Sequence, residues 1–235
     1  CTDITGIGTT VDGGFAEYCA VPASQVYKVA DSLSFEQAAM TEPVSCCLHG
    51  IELCNIKCGD TVMVIGCGMI GLIMLQLARL SGAANIIAIE PIKEKREQAL
   101  KLGADTALDP KTDNIPETLK KQGLEQVDVV IECVGRPETI EQAIALAGKY
   151  STVMMFGLTK PDAEISVKPF EIFKKEITLK SSYINPYTFP AAIKLIESGK
   201  LDVSSMIYET EPLEELPSIL ADSKRRGAGK YIITM

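Results

Sequence analysis

A short apolar run ending in a glycine-rich turn constrains this chain more than any other feature. Thr61-Val62-Met63-Val64-Ile65 leads directly into Gly66-Cys67-Gly68-Met69-Ile70-Gly71, and apolar residues continue to Leu80, just before Gly82. Five apolar-rich residues without alternation read as a strand buried on both faces. Met69 to Leu80, with Gln76 and Arg79 interspersed, reads as a helix with a glycine stop. G-x-G-x-x-G between a strand and a helix has a mechanical meaning. Gly66 permits the tight turn, Gly68 lets the backbone approach a diphosphate, and Gly71 allows close packing of helix on strand. Met69 and Ile70 open the helix, whose free N–H groups then face the diphosphate.

The centre of the chain repeats this alternation. Ile86–Ile89, Thr106–Leu108, Val127–Ile131, Thr152–Phe156 and Glu176–Lys180 read as further strands. Lys93–Leu102, Glu117–Gln122 and Glu138–Ala147 read as helices between them. Such spacing implies right-handed βαβ units and an α/β fold with a doubly wound parallel sheet. The ends break the rhythm. Residues 10–30 carry Gly13-Gly14 and then Phe15 to Val21, read as short strands with turns. Past the sheet come a helix from Pro186 to Ser198, a Ser204–Tyr208 strand, a Pro212–Ser223 helix and a Lys230–Thr234 strand. The expected organisation is a cofactor domain over 43–185, with 1–42 and 186–235 forming a second domain.

Glu90 ends the second strand, 19 residues after Gly71. A carboxylate there accepts hydrogen bonds from the adenosine ribose of NAD and repels the 2′-phosphate of NADP. Lys93, Lys95 and Arg96 follow and would soften that preference; with Glu94 and Glu97 they also fit a solvated helix face. Ligands of doubly wound sheets sit outside the carboxyl ends of the strands, so Cys133-Val134-Gly135 and Phe156-Gly157-Leu158 are candidates to line the ribose and nicotinamide.

Composition narrows the alternatives. A net charge of −8 argues against nucleic acid as the main partner, which demands a basic face. No apolar run reaches the roughly 18–20 residues of a membrane span. The N-terminus has no basic segment followed by an apolar one, so no signal peptide is read, and it lacks Met. It reads as cut from something longer, or processed. The eight cysteines read as free thiols of a cytoplasmic protein, since Cys67 and Cys133 fall within or beside buried strands. Glu42-Pro43 is an acid before a proline-initiated helix, equally a good helix start. His49 is the single histidine and forms no metal cluster unaided.

Gly13-Gly14-Phe15-Ala16-Glu17-Tyr18, Thr41-Glu42-Pro43, the Gly66–Gly71 loop, Leu102-Gly103-Ala104-Asp105 and Glu197-Ser198-Gly199-Lys200 together resemble the zinc-dependent medium-chain dehydrogenases. The sorbitol (polyol) and threonine dehydrogenase branch is most similar, and the resemblance covers essentially the whole chain. It implies a Rossmann domain inserted in a GroES-like, β-rich catalytic domain of which only remnants are present. It implies hydride transfer between an alcohol or polyol and NAD, with zinc acting as a Lewis acid in the complete enzyme. Cys1 falls at the last of four structural-zinc ligands, and Glu42 at the acidic position beside the catalytic zinc. The other ligands would lie upstream, so this chain alone is expected to be inactive. The segment Tyr183-Ile184-Asn185-Pro186 lacks the Arg that some polyol dehydrogenases carry near the nicotinamide, which leaves the branch open. Self-association as a homodimer or homotetramer is implied too, through the edge strand Glu176 to Ser181. A threonine-type dehydrogenase and a non-catalytic dinucleotide-binding module remain alternatives.

Overall fold

The computed structural model describes residues 4–235, so Cys1 lies outside the described residues. The chain divides into two compact units. One is Thr41–Leu195; the other joins the residues up to Met40 with Ile196–Met235.

In chain order the second of these gives a 3₁₀ turn at Ala23–Gln25 and then a single helical turn, α1 (Phe35–Ala38), opened by a reciprocal capping box between Ser34 and Gln37. The larger unit then runs α2 (Thr41–Cys54), β1 (Thr61–Ile65), α3 (Met69–Leu80), β2 (Asn85–Ile89), α4 (Lys93–Lys101), β3 (Thr106–Leu108), α5 (Ile115–Lys121), β4 (Val129–Glu132), α6 (Pro137–Leu146), β5 (Thr152–Met155), α7 (Pro169–Lys175) and β6 (Thr178–Ser181). The strands form one parallel sheet in the order β3-β2-β1-β4-β5-β6. This is the Rossmann order, which reverses direction between β1 and β4. All five residues of β1 are buried, as expected for a central strand covered on both faces. One face packs Met63, Ile65, Ile87, Ile89, Val130 and Val153 against α5 and α6. Helix α8 (Phe189–Glu197) follows, then β7 (Ile207–Pro212), α9 (Leu216–Ala221), α10 (Ser223–Ala228) and β8 (Lys230–Thr234), with β7 and β8 paired in parallel.

Several boundaries differ from the sequence reading, for local reasons. Helix α8 starts three residues late because Tyr187 has a left-handed backbone (φ 64°), which a helix does not accommodate. Strand β6 begins at Thr178 because Glu176 closes α7 with φ 51°. The expected strand from Ser204 is a 3₁₀ turn up to Met206, and β7 then extends to Pro212. The helix expected over 212–223 is broken at Asp222, which is extended and caps the next helix by accepting from the Lys224 N–H at 2.8 Å. Residues 10–30 form no strand; their described structure is an isolated bridge between Ile7 and Val11 and a 3₁₀ turn at Ala23–Gln25. Phe15 and Tyr18 are exposed there, and a strand without a ladder partner is not sustained.

The seven cysteines among the described residues are free thiols, and Cys47, Cys54 and Cys67 are buried. Burial pushes the Cys54 and Cys67 thiols from near 9 up to about 12, with the Glu90 charge adding to the effect at Cys67. Native alkylation with iodoacetamide at pH 8 should modify exposed Cys19 and Cys58 and spare Cys54 and Cys67, read by peptide mapping. Equal labelling of Cys58 and Cys67 would contradict this packing. Because these thiol pKa values are raised by folding, the stability tied to them is full below pH 9 and lost as pH rises toward about 12.

Candidate functional site

The parallel register brings four strand ends to one level. Ile65 of β1 pairs with Ile89 of β2 and Glu132 of β4, and Glu132 pairs with Met155 of β5. The residues that follow these ends, Gly66, Glu90, Cys133 and Phe156, therefore surround the point where the strand order reverses. That crevice is where doubly wound sheets receive ligands.

The three loop glycines have three different environments. Gly66 has φ +91°, and a Cβ there would lie 2.6 Å from Val134 Cγ2. A Cβ on Gly71 would collide with the Gly66 carbonyl oxygen. Both glycines are thus demanded by packing alone. A Cβ on Gly68 would meet nothing within 4 Å. Gly68 is the N-cap of α3 and gives it no side-chain cap, so the first-turn N–H groups, Met69 and Ile70 included, receive no acceptor from a cap side chain, and the space beside Gly68 is open. A twelve-residue helix with an uncapped N-terminus and a bare approach fits a diphosphate.

Glu90 is buried, and its carboxylate ties two loops together. Oε2 accepts from the Cys67 N–H at 2.8 Å, and Oε1 accepts from the Ile92 N–H at 3.0 Å. An ionised carboxylate has about four acceptor positions, so both oxygens retain capacity for hydroxyl donors. Arg96 stands behind Glu90. Its Nη1 donates to the Glu90 carbonyl at 2.7 Å and pairs with Asp109 Oδ2 at 3.1 Å.

The sequence reading missed Glu132, the last residue of β4 and fully buried. Its Oε1 accepts from the N–H groups of Val134 at 2.8 Å and Gly135 at 3.0 Å, and from the Thr139 hydroxyl at 2.7 Å. Its carbonyl accepts from the N–H groups of Phe156 and Gly157, both at 2.9 Å. One residue thereby fixes both loops picked from the sequence. The signal was an acid ending an apolar strand, the same pattern that marks Glu90. Within those loops Val134 and Leu158 are exposed, whereas the Cys133 thiol is pushed well up by burial. The Phe156 ring lies against Gly50 of α2, where a Cβ would stand 2.8 Å from it, so this ring serves helix packing. An open pocket of about 700 Å³ adjoins Gly135, lined also by Arg136, Thr139, Lys160 and Asp162.

Glu42 is exposed in the first turn of α2, and its Oε1 accepts from Cys46 Sγ at 3.2 Å. Burial, then this contact, pushes the Cys46 thiol up to about 12. His49 is half-buried further along α2. Among the described residues no group of three or more His, Cys, Asp or Glu could hold a metal ion. These residues therefore do not make a zinc site by themselves, and the Cys1 expectation lies outside them.

A family model for zinc-binding dehydrogenases matches residues 70–198. The chain belongs to the zinc-binding dehydrogenase family. D-arabinitol dehydrogenase 1 of Uromyces fabae is 31% identical over 224 residues, covering 94% of this chain and 64% of that protein. L-threonine 3-dehydrogenase of Caldanaerobacter subterraneus is 32% identical over 239 residues, covering 99% and 68%. Among solved structures, a zinc-binding dehydrogenase of Sinorhizobium meliloti 1021 bound to NADP superposes with a TM-score of 0.93 at 35% identity, covering 97% of this chain and 68% of that one. The rspB alcohol dehydrogenase of Escherichia coli CFT073, in complex with NADH, gives 0.91 at 26% identity, covering 100% and 70%. The chain spans 58–64% of the length of three of the curated dehydrogenases it matches.

The glycine environments separate stability from binding. Gly71→Ala should destabilise this family member by about 2 kcal/mol or more, the cost of overpacking against backbone, seen as a lower urea midpoint. Gly68→Ala should leave that midpoint nearly unchanged and weaken dinucleotide binding. The reverse ranking would mean that the open space at Gly68 is not the approach.

Proposed function

We propose that this chain carries the cofactor-binding part of an NAD-dependent oxidoreductase acting on an alcohol or polyol. The observation that carries the reading is the uncapped N-terminus of α3, bare at Gly68 and flanked by the Glu90 carboxylate. NAD, when bound, supplies the hydride acceptor. The residues of the chain bind and orient it. Met69 and Ile70 N–H groups face the diphosphate, and Glu90 accepts from the ribose hydroxyls and repels a 2′-phosphate. Val134 and Leu158, exposed at neighbouring strand ends, give the cofactor an apolar wall and keep water from its reactive end. Glu42 belongs to no group of three or more metal-ligating residues among the described residues, and no step is assigned to it or to zinc.

The polyol reading rests on family relatives such as D-arabinitol dehydrogenase 1. The L-threonine 3-dehydrogenase relative favours a second reading, oxidation of an amino alcohol, which a substrate panel on the longest gene product separates. The chain as given should show little or no dehydrogenase activity by itself; robust polyol oxidation by it would sink that expectation. We further propose that two copies associate through the edge strand β6, beside which α7 leaves Phe170 and Phe173 exposed by 67% and 76%. A monomer in sedimentation at micromolar concentration would count against the pairing.

The chain has no Trp, so binding is read from the emission of the reduced nicotinamide itself. Saturable binding of NADH, tighter than that of NADPH, is the expected result. Binding of neither would overturn the cofactor reading.

A further inference from the structure

One ion pair beside the proposed ribose site is not used by the reading above. Arg96 and Asp109 have side chains only 20% and 15% exposed. Asp109 directly follows β3, whose last residue, Leu108, accepts the Glu90 N–H at 3.0 Å, so Asp109 and Glu90 are close neighbours at the sheet edge. Asp109 is itself fixed: Oδ1 accepts from the Lys111 N–H at 2.9 Å, and its own N–H donates to Asp113 Oδ2 at 2.7 Å. The guanidinium of Arg96 is thus flanked by two carboxylate residues. Both of its contacts, to the Glu90 carbonyl and to Asp109, run through the same nitrogen, Nη1. Among the described residues Nη2 and Nε of Arg96 take no protein acceptor.

A guanidinium with a free fork beside an adenosine ribose is the group that would clamp a 2′-phosphate. We infer that Asp109 is a second determinant of cofactor choice, acting through Arg96. Its carboxylate cancels the Arg96 charge and holds the guanidinium against the sheet edge. Glu90, Arg96 and Asp109 together then carry one net negative charge, which a 2′-phosphate of nearly two charges meets as repulsion. Of the other charges near this face, Lys93 is exposed and pairs with Glu97 at 3.8 Å, Lys95 lies near enough for its charge to act on the Cys67 thiol, and Asp113 adds a carboxylate that accepts from the Asp109 N–H at 2.7 Å. NAD, lacking the phosphate, is indifferent to the arrangement. The inference rests on the proposed cofactor site and deepens it, making Asp109 a positioning residue for Arg96.

The test is a titration of the whole chain with NADH and NADPH, followed by nicotinamide emission, for the native protein, Asp109→Asn, and Asp109→Asn with Arg96→Gln. Asparagine keeps the volume and an acceptor for the Lys111 N–H while removing the charge. The expected result is a fall in the ratio of NADPH Kd to NADH Kd of about tenfold in Asp109→Asn, the order of one partly screened unit charge. Arg96→Gln should return the ratio toward its native value. An unchanged ratio in Asp109→Asn, with NADH still bound, overturns this inference and leaves the cofactor reading standing. A fall that persists without Arg96 overturns the route through Arg96. Failure of the native chain to bind either nucleotide overturns the cofactor reading and this inference with it.

Discussion

Two carboxylates at the ends of the strands on either side of β1 hold the loops over this sheet. Glu90 directly follows β2 and grips the glycine-rich loop through the Cys67 N–H; Glu132 closes β4 and grips the next loop through Val134 and Gly135. A buried carboxylate without partners costs several kcal/mol, and hydrogen bonds from N–H groups to it offset that at about 1.5–3 kcal/mol each. Each acid is therefore stable only while its loop keeps the observed path, and each loop keeps that path because its N–H groups have no better acceptor. The arrangement is reciprocal, which suits a binding surface built from irregular backbone.

Much of the sheet was legible because its central strands β1, β2 and β4 are short runs of mostly buried apolar residues, with glycines closing the helices between them. β1 and β3 match the sequence reading at both ends, and the other strands of the sheet shift by one or two residues. What was not legible depends on backbone conformations that residue type does not announce. Glu176 and Tyr187 adopt left-handed backbones without being glycine, and each moves an element boundary. Helix α7 was missed because its phenylalanines face outward, so no buried periodicity marks it.

The candidate site divides in the same way. The Gly66–Gly71 pattern and Glu90 carry their geometry in residue type and spacing, and the structure brings them together. Glu132 carries the same signal as Glu90 and was passed over because it falls between the expected strand, which stops at Ile131, and the loop candidate, which starts at Cys133. Phe156 illustrates the opposite difficulty. Its place at a strand end suggested a groove residue, but a side chain at a strand end has two directions open to it, and here a glycine on α2 makes the inward one available.

That glycine has a mechanical consequence. At Gly50 the helix α2 rests directly on the Phe156 ring and the Met74 methyl, with no room for even one added carbon. Glu42 lies eight residues earlier on the same helix, about 12 Å along its axis at 1.5 Å per residue. Position 50 is thus a fulcrum with Glu42 near the tip of the lever. A wedge at the fulcrum that tilted α2 by about 5° would swing that carboxylate by about 1 Å. The placement of an exposed acid is set by the thinness of a contact two turns away.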